Sequence, residues 1–267
     1  MKNSKTIEVR LLKLNFNSLK DIIFLMQKPQ FINNEIYHIY NRGVEKRNIF
    51  SDKKDHFRFI HNLFEFNDEN PVLNTGYYFN RQTMEVELRY IEETKKKERK
   101  PRKLLVEILT FCLMPNHYHL LLRQKKEKGI VRFMQKLGTG YTNYFNKKYE
   151  RVGSLLQGRF KAIHVNKEEY LDFLLYYIHF NPLDLFEPGW REEKIKNYQK
   201  AIEFLNSYRW SSHLDYIDKK NFPSVTQREF LLNTLGGEKN YQQNIEKWFE
   251  EIVKRKDIED FGKIRLE

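Results

Sequence analysis

The sequence predicts an α+β fold in which an antiparallel sheet carries helices on one face and a helical C-terminal extension follows. Three observations carry that expectation. Runs at 35–41, 104–113, 117–122 and 159–165 have the length and the β-branched and aromatic content of strands. Stretches with helical spacing separate the first run from the second and the third from the fourth, and the chain after Pro188-Gly189 is mostly helical in pattern. The order strand, helix, strand, strand, helix, strand is the split βαβ arrangement of ferredoxin-like, RRM-like sheets. Such a fold hosts many activities and by itself assigns none.

Taken in order, residues Met1 to Lys28 hold basic residues and a short apolar piece, Leu19 to Met26, interrupted by Lys20 and Asp21. Without a small-residue cleavage site they read as part of an N-terminal extension over 1–30, not a signal peptide, and Met26 is a candidate start. Glu35 to Asn41 alternates Ile36, His38 and Tyr40 with Tyr37, Ile39 and Asn41, a strand ended by Arg42-Gly43. Ser51 stands where an N-cap belongs, Asp52 and Asp55 complement the dipole of a first turn, and Phe57, Ile60, Leu63 and Phe64 continue a helix over 51–66. Residues 67–103 form an insertion with an aromatic piece at Tyr77 to Phe79 and a charged, partly helical arm. That arm contains Lys95, Lys96, Lys97, Arg99, Lys100, Arg102 and Lys103. Such runs are most often solvated faces, and the sign of this one favours a phosphate backbone nearby.

Leu104 to Leu113 and His117 to Leu122 are nearly continuous apolar runs broken by Met114-Pro115-Asn116, which predicts two central strands joined by a tight turn. Ile130 to Lys148 places Phe133, Met134, Leu137, Tyr141 and Phe145 at helical spacing, with Gly138 and Gly140 weakening its middle. Arg159 to Val165 reads as an edge strand, and Asn166 as the cap of a helix over Lys167 to Phe180 that Asn181-Pro182 ends. Amphipathic pieces follow at 195–207, 228–235 and 241–255, and no internal repeat is visible.

At 267 residues the chain is long enough to bury a sizeable core. Its 48 Lys and Arg against 36 Asp and Glu give a net charge of +12, which points to an anionic partner, nucleic acid first. An aromatic content of 15% excludes a disordered basic tail. The single cysteine, Cys112, excludes an intramolecular disulfide framework and a cysteine-based zinc finger. No apolar run reaches the roughly 18 residues of a membrane span, so a soluble, cytoplasmic protein without a membrane partner is expected.

His117-Tyr118-His119 opens a predicted strand, where residues two apart project from one face and two imidazoles can meet one metal ion. Alone it is a weak signal, because core histidines are common. On the helix that ends at Asn181, Tyr177 and Asn181 lie four apart and share a face. An amide oxygen there can complete a coordination sphere and a phenol can act as a nucleophile, although Tyr176 and Tyr177 read equally well as packing aromatics.

The strings YHIYNRG at 37–43, LMPNHYHLLL at 113–122, YTNYFNKKYERVGSLLQGRFKA at 141–162 and YYIHFNPL at 176–183 occur in the order seen in single-tyrosine HUH transposases. They look most like the branch of REP-associated tyrosine transposases, and YRWSS at 208–212 resembles a motif that follows the core of that branch. The resemblance spans about Glu35 to Tyr216. It implies a catalytic domain over 31–190, with 67–103 inserted and 191–267 as a helical C-terminal region. It also implies that His117 and His119 are metal ligands, that Asn181 assists them, and that Tyr177 is the nucleophile. Family members use Mg2+ or Mn2+ to cleave single-stranded DNA, linking the tyrosine to a 5′-phosphate and freeing a 3′-hydroxyl. The implied partner is single-stranded or hairpin DNA, and the implied assembly a monomer or homodimer. In the Gly153 to Arg159 element the family often has tryptophan or phenylalanine where this chain has Leu156. A register error of one residue would put Tyr176 in the nucleophile position, but the Asn-Pro anchor argues for Tyr177.

The chemistry of the residues agrees with that implication. A phenol with a pKa near 10 needs help from an ion or base. A divalent ion on three protein ligands keeps positions open for phosphate, and two imidazoles make manganese or zinc as natural as magnesium. Arg42, Arg159 and Lys161 flank the predicted site on strand ends and are the candidates for DNA-backbone contacts. Tyr37, Tyr40 and Phe160 are candidates for stacking on bases or for the core. Two other readings stay open: a non-catalytic nucleic-acid-binding protein descended from such a transposase, and a zinc hydrolase for which Tyr177 is dispensable.

Overall fold

The computed structural model describes residues 29–70, 77–79, 82, 86–88, 102–192, 195 and 197–254. Its principal sheet contains β1 (Ile36–Arg42), β4 (Val106–Met114), β5 (His117–Gln124) and β6 (Lys161–Val165) in the order β4-β5-β1-β6, every neighbouring pair antiparallel. Because β5 is antiparallel to both β1 and β4, those two run parallel with β5 between them, the split βαβ topology expected from the sequence. Strands β2 (Tyr77–Phe79) and β3 (Val86–Leu88) form a separate antiparallel pair within residues 67–103. The charged arm at 89–101 and residues 1–28, including Met26, lie outside the described residues.

Strand alternation sorts side chains onto two faces. Tyr37 and Ile39 of β1, Phe111 and Leu113 of β4, and Tyr118 and Leu120 of β5 share one core with α1 (Lys53–Glu65) and α2 (Gly129–Lys148), through Phe59, Leu63, Phe133 and Tyr141. These are the two helices on one face of the expected unit. Ile36, Cys112, Met114 and Leu121 point the other way, onto α3 (Glu168–Phe180). Behind α3 come α4 (Tyr198–Leu205), α5 (His213–Tyr216), α6 (Glu229–Leu235) and α7 (Glu238–Lys254), whose Leu205, Tyr216, Leu231, Leu235, Tyr241 and Phe249 complete that second core. The helical extension thus buries the face that α1 and α2 leave bare.

Three local expectations are corrected. β4 is an edge strand, not a central one. It reads as fully apolar because helices cover both faces and the 210–227 segment covers its free edge, with Leu113 N donating to Trp210 O (2.9 Å), Ser212 N to Phe111 O (3.0 Å) and Gln227 N to Ile108 O (2.9 Å). The cap of α1 is Asp52, not Ser51: Asp52 Oδ1 accepts from Asp55 N (3.0 Å) while Asp55 Oδ2 accepts from Asp52 N (3.2 Å), a reciprocal capping box that takes in Ser51 N as well (2.8 Å). Lys167, not Asn166, caps α3, without a side-chain hydrogen bond. Gly140, which weakens α2 on paper, is where Phe66 packs: a Cβ there would lie 2.4 Å from the Phe66 ring.

Candidate active site

The turn Met114-Pro115-Asn116 delivers β5 with His117 and His119 on the α3 face and Tyr118 in the opposite core. A short 3-10 turn, Val44–Lys46, holds that connection in place. Gly43 N donates to Asn116 O (2.8 Å), Ile49 N to Pro115 O (2.8 Å) and Asn116 Nδ2 to Lys46 O (3.3 Å). Glu45 and Lys46 both adopt left-handed backbone, φ 56° and 58°, an arrangement that costs about 1 kcal/mol per residue and is held by these bonds. With its amide nitrogen committed to Lys46, Asn116 presents Oδ1 to His117 Nδ1 at 2.7 Å. His117 therefore donates from Nδ1 and carries its lone pair on Nε2.

Helix α3 brings Tyr177 across from β5. Its ring centroid lies 5.7 Å from that of His119 and 6.3 Å from that of His38, edge-on to both. The neighbouring Tyr176, about 100° around the helix, turns away and stacks on Tyr241 at 5.5 Å. One turn after Tyr177, Asn181 donates from Nδ2 to Tyr177 O (2.8 Å) and accepts at Oδ1 from Arg191 Nη2 (3.3 Å). His119 and Asn181 are each 1% exposed and Tyr177 9%. Burial pushes the His117 imidazole below its usual range and His119 well below it, so both are neutral, the form that ligates metal. Burial raises the Tyr177 phenol, and the Arg191 cation beside it acts in the opposite direction.

Three participants escaped sequence reasoning. His38 on β1 reaches diagonally to His119, Nε2 to Nδ1 2.9 Å, and burial pushes its own pKa down to about 3. Arg191 sits 4.9 Å from the Tyr177 ring centroid, and Asp184 holds it through Oδ2 (2.9 Å) and Oδ1 (3.0 Å). His38 had a legible signal, since it shares a strand face with Tyr40 two residues away. Arg191 and Asp184 lie in irregular 3-10 segments with no periodicity to read.

Of the candidate DNA contacts, Arg42 lies opposite His117 in the β1–β5 register, with Nε donating to Gln157 Oε1. Lys161 lies opposite Tyr40, its Nζ 5.9 Å from that ring. Arg159 is exposed in the bend before β6, and no contact among the described residues ties its side chain to the site. Tyr37 is fully buried on the α1–α2 face, accepting from Ile32 N and donating to Gln30 O, so it offers no platform to a base. Phe160 packs on Phe31, 6.2 Å between centroids, which leaves Tyr40 as the member of that trio facing the site. Leu156 is buried, and its backbone pairs with Gly43.

The described residues contain no group of three or more His, Cys, Asp or Glu placed to hold a metal, so a bound ion would rest on the mixed set of two imidazoles and an amide. That set fits. His119 Nε2 is buried with no hydrogen-bond partner, His117 keeps a lone pair on Nε2, and the Asn181 side chain lies within hydrogen-bonding reach of His117.

The fold and site together define an α+β protein whose antiparallel sheet presents a histidine pair to a helix-borne tyrosine and asparagine. Residues 74–181 match the family described as Transposase IS200 like, a stretch that holds His117, His119, Tyr177 and Asn181. His38 and Arg191 fall outside that stretch. Among solved structures, the chain is similar to one titled "Structure of the REP associates tyrosine transposase bound to a REP hairpin". That similarity has 11% identity and a TM-score of 0.45, over 74% of this chain and 88% of the other. No curated protein matches. No helix among the described residues is long and apolar enough to cross a membrane.

Proposed function

We propose that the protein is a metal-dependent single-stranded DNA nicking and joining enzyme of the single-tyrosine HUH type, in the REP-associated branch, with its catalytic domain over 31–190. The observation that carries the reading is that Tyr177, and not Tyr176, faces the buried His119 ring with Asn181 one turn away.

In this reading His117, His119 and Asn181 hold a divalent cation, Mg2+ or Mn2+, which offsets charge on the non-bridging oxygens of the scissile phosphate when bound. The Tyr177 oxygen attacks phosphorus in line. A bond from that oxygen to phosphorus forms, the bond to the 3′-oxygen breaks, the phenol proton leaves to solvent, and the 3′-oxygen takes up a proton to become a hydroxyl. Rejoining reverses the exchange with another 3′-hydroxyl, so no oxidant or nucleotide is consumed. Arg191 places positive charge beside the phenol as it loses its proton. Arg42 and Lys161, on the rim, and Arg159 nearby bind the DNA backbone, and Tyr40 offers a ring to an adjacent base. The +12 charge steers the strand inward.

The test is incubation with labelled single-stranded hairpin DNA and Mn2+. The expected product is a covalent protein–DNA adduct that disappears in Tyr177→Phe. Cleavage without an adduct would indicate a hydrolase using activated water, and binding without cleavage would indicate a nucleic-acid-binding protein. Either result overturns the proposal.

A further inference from the structure

His38 takes no part in the reaction above, yet among the described residues it makes the one side-chain hydrogen bond to the His119 ring. The His38 and His119 rings lie nearly parallel, 20° between planes, and are 2% and 1% exposed. Their shared hydrogen bond uses His38 Nε2 and His119 Nδ1, while His38 Nδ1 and His119 Nε2 are buried with no partner. Two neutral imidazoles carry one N–H each, so one ring donates and the other accepts, and the choice decides what His119 presents to the site.

Were His38 the donor, His119 would bear its proton on Nε2 and offer no lone pair to a cation. Either choice leaves one buried N–H without an acceptor, at His119 Nε2 or at His38 Nδ1, so what separates them is the lone pair. With His119 as donor, its Nε2 lone pair is bare, on a ring whose centroid lies 5.1 Å from that of His117. We propose that His38 is a positioning residue that accepts the Nδ1–H of His119 and thereby holds the Nε2 lone pair of His119 ready for the metal. The inference rests on the metal-dependent reading above and extends it to a residue outside the matched 74–181 stretch. The same device recurs independently at the other ligand, where Asn116 accepts the Nδ1–H of His117. Two different acceptors on two different segments thus set both imidazoles to present Nε2.

The identity of the acceptor matters. Metal-bound histidines commonly lean on a carboxylate or a backbone carbonyl. A neutral imidazole accepts the same proton without adding negative charge next to an incoming phosphate. Tyr40 and Tyr177 wall the His38 ring, with centroids 5.1 Å and 6.3 Å away, which fixes its plane.

The experiment reads the tautomer directly. In metal-free, DNA-free protein labelled with 15N-histidine, long-range proton–nitrogen correlations should show His119 with a pyrrole-type Nδ1 and a pyridine-type Nε2. In His38→Phe, which keeps an aromatic ring but cannot accept, the other tautomer should appear and Mn2+ affinity should fall about 10- to 100-fold. His38→Gln, whose amide oxygen can accept, should restore most of that affinity. A native His119 protonated on Nε2 overturns the proposal. So does a folded His38→Phe with native Mn2+ affinity, or a His38→Gln no better than His38→Phe. Because the tautomer is read without DNA or metal, an absent covalent adduct counts against the proposed reaction alone and leaves this measurement standing.

Discussion

Two buried histidine clusters lie on the α3 side of the sheet, and they differ in one respect. In the cluster around His179 and His213 every ring nitrogen is satisfied. His179 pairs with Tyr241 Oη (2.7 Å) and Ser212 Oγ (2.8 Å), and His213 with the same Tyr241 Oη (3.0 Å) and Asn206 Oδ1 (3.0 Å). In the cluster of His38 and His119 one bond is made and two nitrogens are left without a partner. Buried polar groups are nearly always paired, and an unpaired one costs about 1–3 kcal/mol. The first cluster behaves as structure, tying α3 to α5 and α7. The second carries that cost, and at His119 Nε2 the proposed cation would relieve it.

The sharpest way to break this comparison is to remove one histidine from each cluster. His119→Ala should lower adduct formation by at least about 100-fold, since it removes a group that acts on charge at the reacting phosphate, while salt-sensitive DNA binding persists. Full nicking activity in that variant would reduce His119 to an ordinary core histidine. His179→Ala should do the converse. It removes one hydrogen-bond partner each from Tyr241 and Ser212 and opens a cavity, so denaturant unfolding should show a loss of about 3 kcal/mol. Adduct formation per folded molecule should stay near native. An inactive but stable His179→Ala would mean that the two clusters work as one.

The sequence revealed the members of the candidate site unequally. His117 and His119 were legible because strand alternation is a period of two and both residues sit on one short strand. Tyr177 and Asn181 were legible because a helix repeats every turn. His38 reaches the site from another strand through a diagonal contact, and Arg191 arrives on a 3-10 segment after the helix has ended. Contacts made by chain segments so far apart leave no spacing to read. The same holds for the fold. The βαββαβ order followed from local pattern, whereas the placement of β4 at the edge did not. Its apolar character reflects cover supplied about a hundred residues later by Trp210, Ser212 and Gln227. Ser51 reads as the cap and Asp52 as a first-turn residue, and only the reach of the Asp55 carboxylate makes Asp52 the cap.

A smaller effect sharpens the comparison from the ligand side. If the unpaired nitrogen of His119 exists for a cation, Mn2+ should stabilise the folded state. Linkage gives about 2.7 kcal/mol at a free concentration 100 times the dissociation constant. Thermal unfolding with and without chelator should show this rise in native protein and in His213→Gln, and none in His117→Ala. A rise of equal size in His117→Ala would place the ion elsewhere.

The smallest effect separates the clusters by acid. Burial lowers His213 to about 3 and His179 well below its ordinary value, whereas in the unfolded chain a histidine titrates near 6.5. A folded pKa depressed in this way means that the unfolded state binds more protons. The corresponding stability is fully present above about pH 6.5 and is lost as pH falls toward the folded value. Each such histidine adds at most about 1.4 kcal/mol per pH unit to the slope. Buried Asp215, whose carboxyl pKa is raised by burial, opposes the trend in both proteins alike. Between about pH 6.5 and 5, His213→Gln should flatten the loss by up to that amount while leaving adduct formation at neutral pH unchanged. An unaltered slope would show that His213 does not become protonated as the chain unfolds in this range, and that its hydrogen bonds to Tyr241 and Asn206 do not depend on its staying neutral.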